Sequence, residues 1–311
     1  QADQPRVVCV TGHAFNFPNS NALKAAFYRF GIASFAIFVG FTLKEAPMDP
    51  SIKSNTVRVA FTLDKTFLPT LDPAKIGSFQ QGLLLDNLYS RLIEYNQYGE
   101  IQSGLASKFY WNDSELIFEF NDRVRSRDNL TVTAKDAAFS IRRALYLGTS
   151  THINLRLFLC KIDSVPEVFE DCDGVKVIDN KLILKITNMK HKPFLIPALA
   201  SIDFGIIPER AVDRTSLAIS NFQITSGPYS LESPWKDTQV SRLTLKANPR
   251  HFNLTENSFQ HIELISPEKN SSAGEMILKD LVDIVPTSFS ISQESLTRLN
   301  SSIKDLNVST T

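Results

Sequence analysis

The hydrophobic period of this chain switches repeatedly between two residues and the helical value of about 3.6, and that interleaving narrows the fold more than any single motif. Residues 115–121 alternate, with Leu116, Phe118 and Phe120 on one face and Glu115, Ile117 and Glu119 on the other. Such a pattern predicts a half-buried antiparallel strand. A little further on, Ala134, Ala137, Ala138, Ile141 and Leu145 form an apolar stripe at helical spacing. Thr133 stands where a cap belongs and Asp136 at the third helical position, the signature of a capping box. Short strands are expected at 56–62, 262–265 and 282–285, and helices at 79–93 and 272–281. Asp179-Asn180 between two β-branched runs predicts a hairpin, and 229–232 with 241–246 predicts another. The pattern is mixed α/β (α+β) with many antiparallel pairs, no internal repeat and no long linker.

Composition removes several classes. The 311 residues hold 33 Lys+Arg against 33 Asp+Glu, so the basic excess that a nucleic-acid binder needs for phosphate capture is missing. Twelve Gly and three Cys exclude collagen-like and disulfide-scaffold chains. The length is enough for two or three domains.

Residues 30–43 are an uncharged apolar run with Lys24 and Arg29 before it and Lys44 and Glu45 after it. The run is shorter than a spanning helix wants, and its basic front resembles a signal-peptide core. Residues 27–46 are therefore expected to be a signal peptide or a membrane anchor, with cleavage and retention both open. A buried core helix is the plain alternative. Residues 1–26, including Cys9, are upstream of it, and the chain from 52 is the expected globular part. Export suits an oxidising compartment, where Cys160 and Cys172 could bridge a small loop; two free thiols are an equal reading of the spacing.

Catalytic chemistry is hard to find. The five His (His13, His152, His191, His251 and His261) have no metal-ligand spacing, so no metal is expected. There is no glycine-flanked nucleophilic Ser and no Gly-rich phosphate loop. Arg123, Arg125 and Arg127 form the densest basic patch, but with Asp122 and Asp128 beside them a solvated loop is favoured over an anion site. No enzyme activity and no cofactor are expected.

Several segments taken in order resemble the extracellular solute-binding proteins of family 5, the dipeptide and oligopeptide receptors of ABC importers. Thr70-Leu71-Asp72-Pro73 is similar to the family's "(S/T)LDP", and Asn87-Leu88-Tyr89-Ser90-Arg91-Leu92 to its "NLYEGL". Gly104-Leu105-Ala106 with Leu116 to Phe120 resembles "GLAESW" and the strand after it. Residues 131–143 (TVTAKDAAFSIRR) are similar to "TPVTAxDVxFSxxR", and Ser226-Gly227-Pro228-Tyr229 to "GTGPY". Residues 243–252 and 278–284 stand where "LxRNPxYW" and "KxGExDI" are expected. Departures are Asp128-Asn129-Leu130 for "DGT", Phe109-Tyr110 in the Trp region and Asp280-Leu281 for "GE". Asn tolerates the positive φ that the Gly would supply.

The resemblance implies a periplasmic-binding-protein-like type II lobe with an appended subdomain, and the second lobe missing. Its implied parts are a lobe core at about 52–72 and 173–285 and an inserted subdomain at about 73–172. Family members are considerably longer and close two lobes on a ligand, so the resemblance implies a fragment. The implied function is a monomeric extracytoplasmic, periplasmic receptor that captures peptides for an ABC transporter permease. The residues implied as ligand wall are Gly77, Ser78 and Phe79 after "LDP", and Thr151, His152 and Ile153 after the long helix. The alternative, from another class, is a single-lobe anchored interaction or sensor module.

Overall fold

In a computed structural model, the described residues are 7–10, 55–64, 68–96, 98–121, 124–148, 153–161, 168–235, 241–256, 258–268, 272–286, 289, 293–302 and 307–310. The expected signal or anchor at 27–46 lies outside them. Among the described residues no helix is long and apolar enough to cross a membrane. Strands β1 (Val7–Val10) and β2 (Thr56–Ala60) are followed by helix α1 (Phe79–Leu88) and strands β3 (Ile93–Tyr95), β4 (Ile101–Ser103), β5 (Lys108–Asn112) and β6 (Glu115–Glu119). Helices α2 (Ala134–Leu147) and α3 (Ile153–Cys160) lead to β7 (Val175–Ile178), β8 (Lys181–Lys185) and α4 (Lys192–Leu199). The chain closes with β9 (Tyr229–Leu231), β10 (Arg242–Ala247), β11 (His261–Ile265), α5 (Ala273–Leu278), β12 (Ile284–Val285), α6 (Gln293–Ser302) and β13 (Asn307–Thr310).

Seven strands form the main sheet in the order β13-β1-β12-β2-β11-β10-β9. Pairing is parallel from β13 through β11 and antiparallel from β11 to β9. Residues Val7–Val10, which the sequence reading set upstream of the fold, run between β13 and β12; a Val-Val-Cys-Val stretch has the β-branched character that a pleated surface accommodates. Along β2 the faces alternate. Val57 and Val59 pack with Leu84, Leu85 and Leu88 of α1, whereas Ala60 joins Met276, Ile277 and Leu299 from α5 and α6 on the opposite side.

The second sheet, in the order β5-β6-β8-β7, carries α2. Leu116, Phe118, Leu182 and Leu184 are fully buried against Ala134, Ala137, Ile141 and Leu145. Asp179 and Asn180 turn the β7–β8 hairpin with φ of 47° and 57°, both positive as a type I′ turn requires. That hairpin pairs β8 with β6, so it belongs to the subdomain sheet. The expected lobe-core range of about 173–285 includes it, because periodicity identifies a strand and not its neighbour. Cys160 and Cys172 form a disulfide across this subdomain.

Helix α1 stops at Leu88, five residues before the apolar pattern does. Tyr89 is extended, and the chain from Leu88 to Leu92 threads the interior with its carbonyls taken by other segments. Leu88 O accepts from Gly227 N at 2.9 Å, Ser90 O from Ile206 N at 2.8 Å and Arg91 O from Leu105 N at 2.8 Å. Leu92 and Ile93 are buried as the pattern demands, but as extended chain.

Candidate ligand-facing wall at the strand ends

Strands β2, β11 and β12 run parallel, so their carboxyl ends share one edge, the usual side for ligands in open α/β sheets. Phe61 N donates to Ile265 O at 2.9 Å, which carries the pairing past β2. Beyond it the chain forms a pinned loop. Asp72 caps a single 3-10 turn, Pro73–Lys75, by accepting from Ala74 N at 3.1 Å. Gln81, without solvent exposure, accepts from Gly77 N at 2.8 Å and donates to Thr70 O at 2.6 Å. Ser78 caps α1, its Oγ accepting from Gln81 N at 3.1 Å. Phe79 opens that helix with 49% of its surface exposed.

Of the residues read as ligand wall, Gly77, Ser78 and Phe79 thus stand together at the start of α1. Thr151 and His152 lie outside the described residues. Ile153 opens α3, whose Leu155 and Leu159 are buried in the subdomain core, a different core from the one that seats α1. Gln80, not singled out in the sequence, also faces this edge: its Nε2 lies 3.5 Å from Thr62 Oγ1 at the end of β2. A polar residue beside Phe79 in a capped helix start carries no distinctive sequence signal, which is why it passes unnoticed.

The polar residues of the motifs do structural work. Asp136 closes the capping box by accepting from Thr133 N at 2.8 Å and also accepts from Glu209 N at 2.8 Å. Ser140 Oγ accepts from Ile207 N at 2.9 Å. Arg143, one turn further, reaches Asp72 and donates through Nε to Leu217 O at 2.8 Å. These three residues, at i, i+4 and i+7, form a buried polar seam between α2 and the lobe.

One pair imitates a hydrolase. Ser90 Oγ lies 2.8 Å from His251 Nε2, both buried. His251 Nδ1 accepts from Asn253 N at 3.1 Å, so the neutral ring carries its proton on Nε2 and donates to Ser90. A base for Ser90 would need the opposite polarity. Among the described residues no group of three His, Cys, Asp or Glu could hold a metal.

This architecture is that of a periplasmic-binding-protein-like lobe with an appended subdomain. No protein-family model matches the chain. The chain is similar to the periplasmic murein peptide-binding protein MppA of Escherichia coli (strain K12), 24% identical over 223 residues, which is 69% of this chain and 41% of that protein. Among solved structures it is similar to the Escherichia coli murein tripeptide-binding protein MppA, with a TM-score of 0.63 and 19% identity over 80% of this chain and 48% of that one. It is also similar to Haemophilus influenzae OppA in complex with the peptide RPPGFSPFR, with a TM-score of 0.62 and 15% identity over 80% and 48%. The chain spans less than half the length of these relatives. These similarities agree, over that part, with the resemblance read from the sequence.

Proposed function

We propose that this chain is a lobe of an extracytoplasmic, non-enzymatic receptor that captures peptides for an ABC importer. The single observation that carries the reading is the pinned loop after β2, which sets Phe79 half exposed at the carboxyl edge of the parallel strands. Its support is the similarity to proteins described as peptide-binding, one of them holding a nonapeptide. An extended peptide laid along this edge would meet an aromatic face beside a helix start, which suits recognition with little side-chain preference. Gly77 leaves that approach open, since a Cβ there would come no closer than 4.0 Å to Gln81 Oε1. Thr151, His152 and Ile153 are proposed as a second wall segment and Gln80 as an addition to the first. Ligand capture would be followed by handover to a membrane permease, with the receptor acting as a monomer and residues 27–46 directing export or anchoring.

The test is to express the protein from its natural reading frame and identify copurified peptides by mass spectrometry. Peptides should be retained, and Phe79→Ala should release them while leaving the melting temperature unchanged. Retention of none, or undiminished retention in the variant, would sink the reading.

A further inference from the structure

The basic run around Arg125 and Arg127 forms the exposed loop that its sequence favours, with Ser126 buried beneath it. A cleft of about 330 Å3 opens between it and the β9–β10 hairpin, with Ser126, Arg127, Asn129, Lys246, Asn248 and Arg250 in its lining. That volume is in the range of small-molecule sites. Arg127 Nη1 donates to Leu231 O at 2.5 Å and to Glu232 O at 3.3 Å, while Arg250 Nη1 donates to the Asn129 side-chain oxygen. Both guanidinium groups are thus steered by neutral acceptors. Among the described residues no carboxylate pairs with Arg127, Lys246 or Arg250. Two acids beside the cleft have other contacts: Asp128 is held by Arg210 at 2.5 Å, and Glu232 Oε1 lies 3.6 Å from His261.

The base of the cleft is built. Ser126, Ser230 and Asn248 are all at least nine-tenths buried. Asn248 Nδ2 donates to Arg125 O at 2.5 Å, and its Oδ1 accepts from Arg250 N at 3.3 Å. Asn129 holds a left-handed φ of 67° and presents its amide oxygen to Arg250, a contact that Gly at this place could not make. In a chain with 33 cations and 33 anions, three unneutralised cations around one cleft are not a by-product of overall charge.

We propose that this cleft is a binding site for a phosphate-bearing anion, separate from the peptide wall. Two guanidinium groups and an ammonium suit a multiply charged tetrahedral oxyanion, which accepts several charge-assisted hydrogen bonds at once. The phosphate could belong to a soluble ester or to a lipid headgroup.

Titration calorimetry with inorganic phosphate at low ionic strength tests the site, and cosedimentation with phosphatidylglycerol vesicles separates the two sources. Saturable binding is expected, weakened about fivefold by Lys246→Gln and again by Arg250→Gln. Arg242→Gln, on the same strand but paired with Glu263 at 3.0 Å, should leave it unchanged. Phosphate binding without vesicle binding assigns a soluble ester; binding of both, each weakened alike in Lys246→Gln, assigns a headgroup. Absence of saturable phosphate binding overturns the proposal whatever the vesicles do. An equal loss in Arg242→Gln also overturns it, because general surface charge would then explain the result.

Discussion

Asp72 and Arg143, seventy-one residues apart, meet in a bidentate ion pair with Nη1–Oδ1 at 2.9 Å, and both are almost wholly buried. One residue comes from the "LDP" turn and the other from the end of the α2 motif, so two segments that resemble one family in sequence are bound to each other in space. Arg143→Met would leave the Asp72 carboxylate buried and unpaired, which costs about 3–5 kcal/mol. The double variant Asp72→Asn/Arg143→Met should recover much of that loss, because no charge is then stranded. Urea unfolding of the two variants beside the wild type decides it; Arg143→Met costing under about 1 kcal/mol would sink the assignment.

A second buried acid, Asp86, makes the stability depend on pH. Burial pushes the Asp86 carboxyl up to about 6 from 3.8, with Arg91 at 3.0 Å pulling it back and Glu94 adding to the rise. The native state therefore holds this proton more tightly than the unfolded chain does. The resulting penalty is absent below 3.8, grows as pH rises between 3.8 and 6, and is complete above that. Stability should fall by on the order of 2–3 kcal/mol across that window from this group. Asp86→Asn should flatten the profile there in a series of melts at different pH. A variant profile as steep as the wild type would show that other groups set the slope.

Gly104 and Gly227 sit against the threaded segment. A Cβ on Gly104 would stand 2.5 Å from Arg91 O, and one on Gly227 would stand 2.5 Å from Asn87 O. The Arg91 carbonyl is itself hydrogen-bonded to Leu105 N, and the Leu88 carbonyl next to Asn87 to Gly227 N, so this buried backbone has little room to move. Ala at either position is expected to cost at least about 2 kcal/mol, whereas Gly77→Ala should be close to neutral. Thermal melts of the three proteins make the comparison, and similar melting temperatures for all three would refute it.

Reducing the Cys160–Cys172 bridge, which spans 12 residues, frees a short loop beside the subdomain core. The expected loss is about 3 kcal/mol, read as a lower melting temperature in dithiothreitol. Cys172→Ser should show the same loss without reductant. A melt insensitive to both would mean that the bridge contributes nothing to the fold.

Legibility in the sequence followed the range of the interaction. The capping box at Thr133 and Asp136 and the Asp179-Asn180 turn are local chemistry, and both formed where their residues predicted. The overrun of α1 into Leu92 and Ile93 has a distant cause: carbonyls between Leu88 and Leu92 are claimed by Leu105, Ile206 and Gly227. Apolar spacing cannot register partners so far away. The same limit explains why the expected lobe-core range includes the β7–β8 hairpin and why the cysteine spacing alone left the disulfide open. At the candidate site, Gly77 to Phe79 could be placed from the "LDP" turn. Gln80 could not, because its link to Thr62 exists only once β2 and α1 are packed.

The threaded segment also bears on motion. Leu88, Ser90, Arg91 and Leu92 are bolted to the stretches around 104, 206 and 227, which hold the main sheet and the subdomain in common. Sliding one past the other would break several buried hydrogen bonds together, with no water at hand to replace them. The main sheet and the subdomain therefore behave mechanically as one rigid piece.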